Sequence, residues 1–356
     1  MSMHDYRINN KNGLEFGIYT LGDHLMNPET GKKISAKQRL KEIIELAKLS
    51  DEAGLDFFSV GESHQEGFVT QAHTTVLSAI SQVTKQIKLG SSATIISTSD
   101  PVRVYEDFAT IDLISNNRVE IIAGRASRIG LFELLGYDVS DYEGLFEEKF
   151  ALLNQINNEA YVTFEGQYRP KLHHAHVLPR SENPLPIWRA VGGTSASAIK
   201  AARHGVPMHL AMLGGPVSTF KSVIQTYRET LHQSGFDPTH YPVGTAGFFH
   251  VAKTTTQAQK EMYSYINEGM KRTNGQGFSK QAFAHGKDKH NVMNIGSVEE
   301  VIEKLLYQHD VFKHQRYIGQ MDFGGVPFNQ LMRNIDIIGE KILPKIRQYT
   351  RPKEEN

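Results

Sequence analysis

Short apolar runs alternate with longer amphipathic stretches along nearly all of the chain, and this rhythm restricts the fold more than any other feature. The runs cover 14–21, 57–62, 87–96, 119–124, 186–191, 207–213, 243–252 and 317–323. Each has the length of a strand and precedes a stretch with apolar residues at helical spacing, as Leu40, Ile43, Ile44 and Ala47 show after the first run. Helices are expected over 36–52, 74–84, a stretch opening at Pro101, 142–158, 195–204, 217–234, 256–270 and 330–348. Pro101 suits a first helical turn, and Gly205 suits a helix end. Strands alternating with helices imply a parallel sheet, and eight such units favour closure into an α/β fold of the (β/α)8 TIM-barrel type. At 356 residues the chain has the length of one such barrel with insertions at its C-terminal face, so 1–356 is expected to be a single domain.

Two stretches break the period. Residues 163–184 are rich in His and Pro and carry weak strand signals. Residues 272–294 are polar, contain glycine and lie between the seventh and eighth strands. Long insertions at that face of a barrel often close over a ligand, so 272–294 is expected to form a lid; a plain surface insertion has the same composition. No linker and no sequence repeat divides the chain.

Lys plus Arg and Asp plus Glu number 39 each, with a pI near 7.3. Binding to nucleic acid needs a surplus of positive charge, so it is not expected. The chain has no cysteine, which excludes disulfides, thiolate-bound metals, iron–sulfur clusters and thiol nucleophiles. The N-terminus, Met-Ser-Met-His-Asp-Tyr-Arg, lacks an apolar signal core, and no apolar run approaches about 18 residues. A cytoplasmic location is expected.

In a barrel, chemistry gathers at the C-terminal ends of the strands. The second strand ends in Glu62-Ser63-His64, a carboxylate and an imidazole able to handle protons or to fix neighbouring loops. Small residues from Gly90 to Thr94 end the third, where they allow either close approach of a flat ring or tight barrel packing. Gly124-Arg125-Ala126-Ser127 ends the fourth; the rigid donor fork of Arg125 suits a phosphate or a surface ion pair. After the fifth, Val191-Gly192-Gly193-Thr194-Ser195-Ala196-Ser197 runs from a strand through glycines into a helix. Such a turn binds anions through backbone N–H groups and the helix dipole, and the same letters serve as plain turn and N-cap chemistry. His173, His174 and His176 lack a neighbouring acid, so they read as a solvated loop and no metal site is expected. Trp188, Phe57 and Phe58 read as barrel packing.

The order of these pieces resembles the luciferase-like monooxygenase family. The resemblance is carried by 57–64 (FFSVGESH), 99–112 (SDPVRVYEDFATID), 117–127 (NRVEIIAGRAS), the turn at 190–197 and the closing Asp322-Phe323-Gly324-Gly325. It implies a barrel binding reduced flavin mononucleotide (FMN), usually supplied by a separate flavin reductase, in a homodimer that uses O2 to oxidise a small organic substrate. By position, Ser92 and Ala93 would lie beside the flavin ring, often at a non-prolyl cis peptide. Arg125 and Ser127 would contact the ribityl or phosphate region, and Gly192, Gly193, Thr194 and Ser197 would hold the phosphate. Glu62 and His64 would manage protons at the mouth. Two departures stand out. Ser63 replaces a His that many relatives link to catalysis, and a second phosphate-binding Arg has no counterpart near Glu143. The alternatives are hydride transfer with a deazaflavin and a flavin-binding protein without catalysis.

Overall fold

A computed structural model describes residues 2–126 and 130–352. Eight parallel strands follow one another round a closed ring: β1 Glu15–Thr20, β2 Phe57–Val60, β3 Lys88–Ser91, β4 Val119–Gly124, β5 Ile187–Val191, β6 Met208–Met212, β7 Val243–Ala252 and β8 Arg316–Gln320. The ring closes because β1 pairs with both β2 and β8. All six residues of β1 and all ten of β7 are buried, since one face of each strand looks into the barrel and the other is covered by helices. The fold is the expected (β/α)8 barrel.

The helices around it are α1 Ala36–Glu52, α2 His73–Val83, α3 Pro101–Ile114, α4 Tyr142–Asn158, α5 Ser195–Arg203, α6 Val217–Gln233, α7 Thr255–Asn274, α8 Val298–Phe312 and α9 Phe328–Ile337. Local chemistry sets their starts. Ser35 accepts a hydrogen bond from the Gln38 amide, and Asp100 accepts one from Val102 just ahead of Pro101. Ile43, Leu46 and Ala47 form the buried stripe that seats α1.

The lower barrel holds an ion cluster that the sequence reading missed. Arg316 donates from Nε to Glu15 (2.8 Å) and from both terminal nitrogens to Glu120 (2.7 and 3.0 Å). Its guanidinium carbon lies 4.2 Å from the Phe57 ring centre and 5.0 Å from that of Trp188, whose Nε1 donates to Glu120. Phe57 and Trp188 do pack the barrel, as expected. Above them the interior narrows to small residues, Ala190, Ala211 and Ala246, which leave a cavity open toward the C-terminal face.

Several boundaries differ from expectation. The third apolar run is two strands, β3 and Thr94–Ile95, separated by a cis peptide between Ser92 and Ala93. Residues 163–184 contribute to a small antiparallel hairpin, Val162–Phe164 with Leu172–Ala175. The last helix passes through a wide π turn at Ile338–Ile342 before Leu343–Thr350. Residues 272–294 are largely structured. α7 continues to Asn274, a short helix spans Lys280–Ala284, and Phe283 is buried against Tyr263 and Phe278. A further strand, Asn294–Ser297, then pairs with the upper end of β7 and leads into α8, a unit absent from the expected set. Its signals were modest: a Ser297 cap and the apolar spacing Val301, Leu305, Phe312. Among the described residues no helix is long and apolar enough to cross a membrane.

Candidate active site

The cavity at the C-terminal face has a volume of about 420 Å³, within the range of small-molecule sites. Glu62, Ser92, Ala93, Arg125 and Gly192 line it together, although they come from four different strand ends. Its lower wall adds Tyr19, His209 and Gln320. The Tyr19 hydroxyl donates to Gln320 Oε1 at 2.8 Å, which leaves the amide nitrogen of Gln320 for something else. That nitrogen and His209 Nε2 find no hydrogen-bond partner among the described residues, though both side chains are more than nine-tenths buried. Both atoms are covered by their neighbours, His209 Nε2 by the chain at Gly244, so they are a cost to the fold and not free groups in the cavity. The small-residue platform at Ser92–Ala93 leaves room for a planar flavin ring.

The glycine turn supplies the other end. Gly193 has φ +90°, which favours glycine, and a Cβ at Gly192 would meet no atom within 4 Å, so the turn faces open space. Thr194 caps α5 through the Ser197 amide at 3.4 Å. Arg125 Nη2 donates to Ser197 Oγ at 2.7 Å, joining the ends of β4 and β5 in one polar cluster. The Arg125 guanidinium also lies over the rings of Tyr142 and Phe146 at 5.7 and 5.8 Å. A carboxylate occupies part of this cluster. Glu143 pairs with Arg125 Nη1 and, at 2.7 Å, with Lys200 Nζ. Ser127 lies outside the described residues.

Glu62 is buried. Its Oε1 accepts from the Ile95 amide, and its Oε2 lies 2.7 Å from His64 Nε2 and 4.0 Å from His73 Nδ1. Burial alone pushes the Glu62 carboxyl up. The hydrogen bond to His64, the neighbouring His73 and the Ile95 amide outweigh it, so the net shift is downward and the group stays ionised. His73, not singled out in the sequence, is depressed by burial and bonds Thr94 Oγ1 at 2.8 Å. Glu62 opens onto the main cavity, whereas His64 lines an adjoining chamber of about 490 Å³ with Asp23, Phe68, Arg272 and Phe323. The pair therefore bridges two chambers instead of facing a single one.

Residues 14–313 match the family model described as luciferase-like monooxygenase. The chain belongs to that family. Membership makes it an oxidoreductase by family. Relatives of the luciferase-like chain include the alkanal monooxygenase alpha chain of Photorhabdus luminescens, 26% identical over 58% of this chain and 57% of that one. An F420-dependent glucose-6-phosphate dehydrogenase of Amycolatopsis mediterranei is 27% identical over 46% of this chain and 52% of that one. The chain thus spans little more than half the length of either. Among solved structures, the oxygenating constituent of 3,6-diketocamphane monooxygenase from Pseudomonas putida, in complex with FMN, shares the fold, with a TM-score of 0.74, 16% identity and coverage of 94% and 98%.

The luciferase-like site contains functional candidates that sequence reasoning passed over. His209 and Gln320 stand as polar residues inside apolar runs, at inward strand positions, and that pattern was the available signal. Lys200 sits in the second turn of α5, where nothing in the sequence marks it as facing Glu143. His173 and His174 in the hairpin, and His176 just after it, do not line the cavity; His174 stacks on Tyr161 at 4.4 Å. Among the described residues no group of His, Asp and Glu is arranged to hold a metal ion.

Proposed function

We propose that the chain is a flavin-dependent monooxygenase that binds reduced FMN and uses O2 to oxidise a small organic substrate. The observation that carries the reading is one cavity lined by the small-residue platform at Ser92–Ala93, by Arg125 and Gly192 of the polar cluster at the glycine turn, and by the buried Glu62, whose partner His64 faces the adjoining chamber. In this reading Gly192, Gly193, Thr194, Ser197 and Arg125 hold the phosphate. Tyr19, His209 and Gln320 form the cavity wall beneath the ring. When bound, the flavin supplies the electrons that activate O2. Glu62 orients the His64 imidazole; with the proton on Nε2 toward the carboxylate, Nδ1 is left as an acceptor in the adjoining chamber. A separate reductase delivers the reduced flavin, the active form is a homodimer, and 272–294 forms the movable edge of the mouth.

A second reading, hydride transfer with the deazaflavin F420, is favoured by the F420-dependent relative. Titration with FMN and with F420, followed by O2 consumption with whichever binds, separates the two. FMN binding with substrate-dependent O2 uptake supports the first. Exclusive F420 binding without O2 uptake overturns it.

A further inference from the structure

The phosphate turn contains an anion of its own. Glu143, in the first turn of α4, places one carboxylate oxygen on Arg125 and the other 2.7 Å from Lys200 Nζ. Arg125 also reaches Ser197, near the start of the helix that the glycine turn opens, and Lys200 lies on that helix. Arg189 on β5 is held by both oxygens of Glu147 at 2.9 and 2.6 Å, and Glu147 also lies 3.2 Å from Lys200. An incoming phosphate dianion therefore meets cations already paired with a carboxylate. It must either displace Glu143 or share Arg125 with it at close range, and like charges a few ångströms apart repel strongly. The Glu143 side chain is about half exposed (52%), so it can swing into water when displaced.

We infer that Glu143 competes with the flavin phosphate for Arg125 and Lys200, so that the site exchanges its flavin quickly instead of retaining it. This rests on the proposed placement of FMN. It suits a protein that receives reduced flavin as a substrate and must let the oxidised form go. Because the competition acts on the phosphate alone, Glu143 lowers the preference for FMN over riboflavin without touching recognition of the ring.

The test measures binding of FMN and of riboflavin by fluorescence quenching, with FMN dissociation by stopped flow, in the parent, Glu143→Gln, Glu143→Ala and Arg125→Ala. Glu143→Gln and Glu143→Ala should each tighten FMN on the order of tenfold and slow its dissociation, with riboflavin affinity within about twofold of the parent. Unchanged or weaker FMN binding in both Glu143 variants overturns the inference, and weaker binding would make Glu143 a residue that positions Arg125. Arg125→Ala reports on the underlying placement. If it abolishes the FMN preference while the Glu143 variants change nothing, the phosphate is where proposed and only the role of Glu143 falls. If it leaves the preference intact, the phosphate lies elsewhere and both fall.

Discussion

Glu62 and Arg125 show how neighbours decide what a side chain can do. Glu62 is buried, yet hydrogen bonds from His64 and the Ile95 amide, with His73 nearby, keep it ionised, so the site holds a negative charge among buried groups. Replacing it with Gln preserves the shape and a carbonyl acceptor for the Ile95 amide but removes the charge that orients His64. Glu62→Gln and His64→Ala should each lower turnover by about 100-fold, the lower end of the range for general acid–base groups, while FMN affinity stays within about twofold. Oxygen uptake with reduced FMN, alongside an FMN titration, checks this. Parent-like turnover in both variants would move the proton chemistry to another part of the mouth. Arg125 carries a different prediction, since its contacts are with the phosphate turn. Arg125→Ala should weaken FMN by about 1–3 kcal/mol, the scale of a charge-assisted hydrogen bond, and leave riboflavin nearly unchanged.

At the scale of elements, three strands meet through charges that none of them can satisfy alone. Glu15 on β1, Glu120 on β4 and Arg316 on β8 lock the lower barrel, and Lys88 on β3 pairs with Glu15 from the side. Burial pushes the Glu120 carboxyl up, but Arg316 outweighs burial and holds it below the usual carboxylate range. Arg316→Met leaves two carboxylates without their buried partner and should cost about 3–5 kcal/mol of stability, read as the shift in a urea unfolding curve. Adding Glu120→Leu should recover part of that loss; a double variant less stable than the single would argue against the pairing as the cause. A second joint lies where the loop after β8 passes α7. Gly324 has φ +81°, and a Cβ there would come 1.9 Å from the Tyr265 carbonyl oxygen. Gly324→Ala should therefore destabilise by about 1–3 kcal/mol and disturb the mouth, because Phe323 lines both chambers.

The molecule as a whole buries several imidazoles in their neutral form. Burial, reinforced by the charge of Arg316, pushes His209 down to about 3, and burial also lowers His73 and His314. In the unfolded chain these groups take up protons below about 6.5, while the folded state resists protonation. Their contribution to stability is thus complete above about pH 6.5 and is lost progressively as pH falls toward the folded value. Urea midpoints should drop between about pH 7.5 and about pH 5, before the carboxylates with lowered values, such as Glu120, begin to titrate in the unfolded chain. His209→Phe should flatten part of that slope. A parent midpoint that stays level over this range would show that the imidazoles protonate without unfolding.

The barrel was legible because strand and helix periods are local properties of the backbone. β7 runs over Val243–Ala252 as its composition implies, and the glycine turn after β5 opens α5 at Ser195, where the small and hydroxyl residues begin. The residue types at the strand ends were legible for the same reason, since a turn needs them nearby. Partnership was not. Arg316 meets Glu120 across 196 residues, and Arg125 meets Ser197 across 72, so only ring closure brings them together. Whether Arg125 faced a phosphate or an acidic neighbour could not be read from its own strand, because Glu143 arrives on the next helix. Which polar residues of β6 and β8 turn inward likewise follows from the register of the closed sheet, and a one-residue shift would have sent His209 and Gln320 outward. The sequence by itself determined the eight barrel strands and their order; the tertiary structure decided which charges and donors face each other, because those contacts depend on strands far apart in the chain.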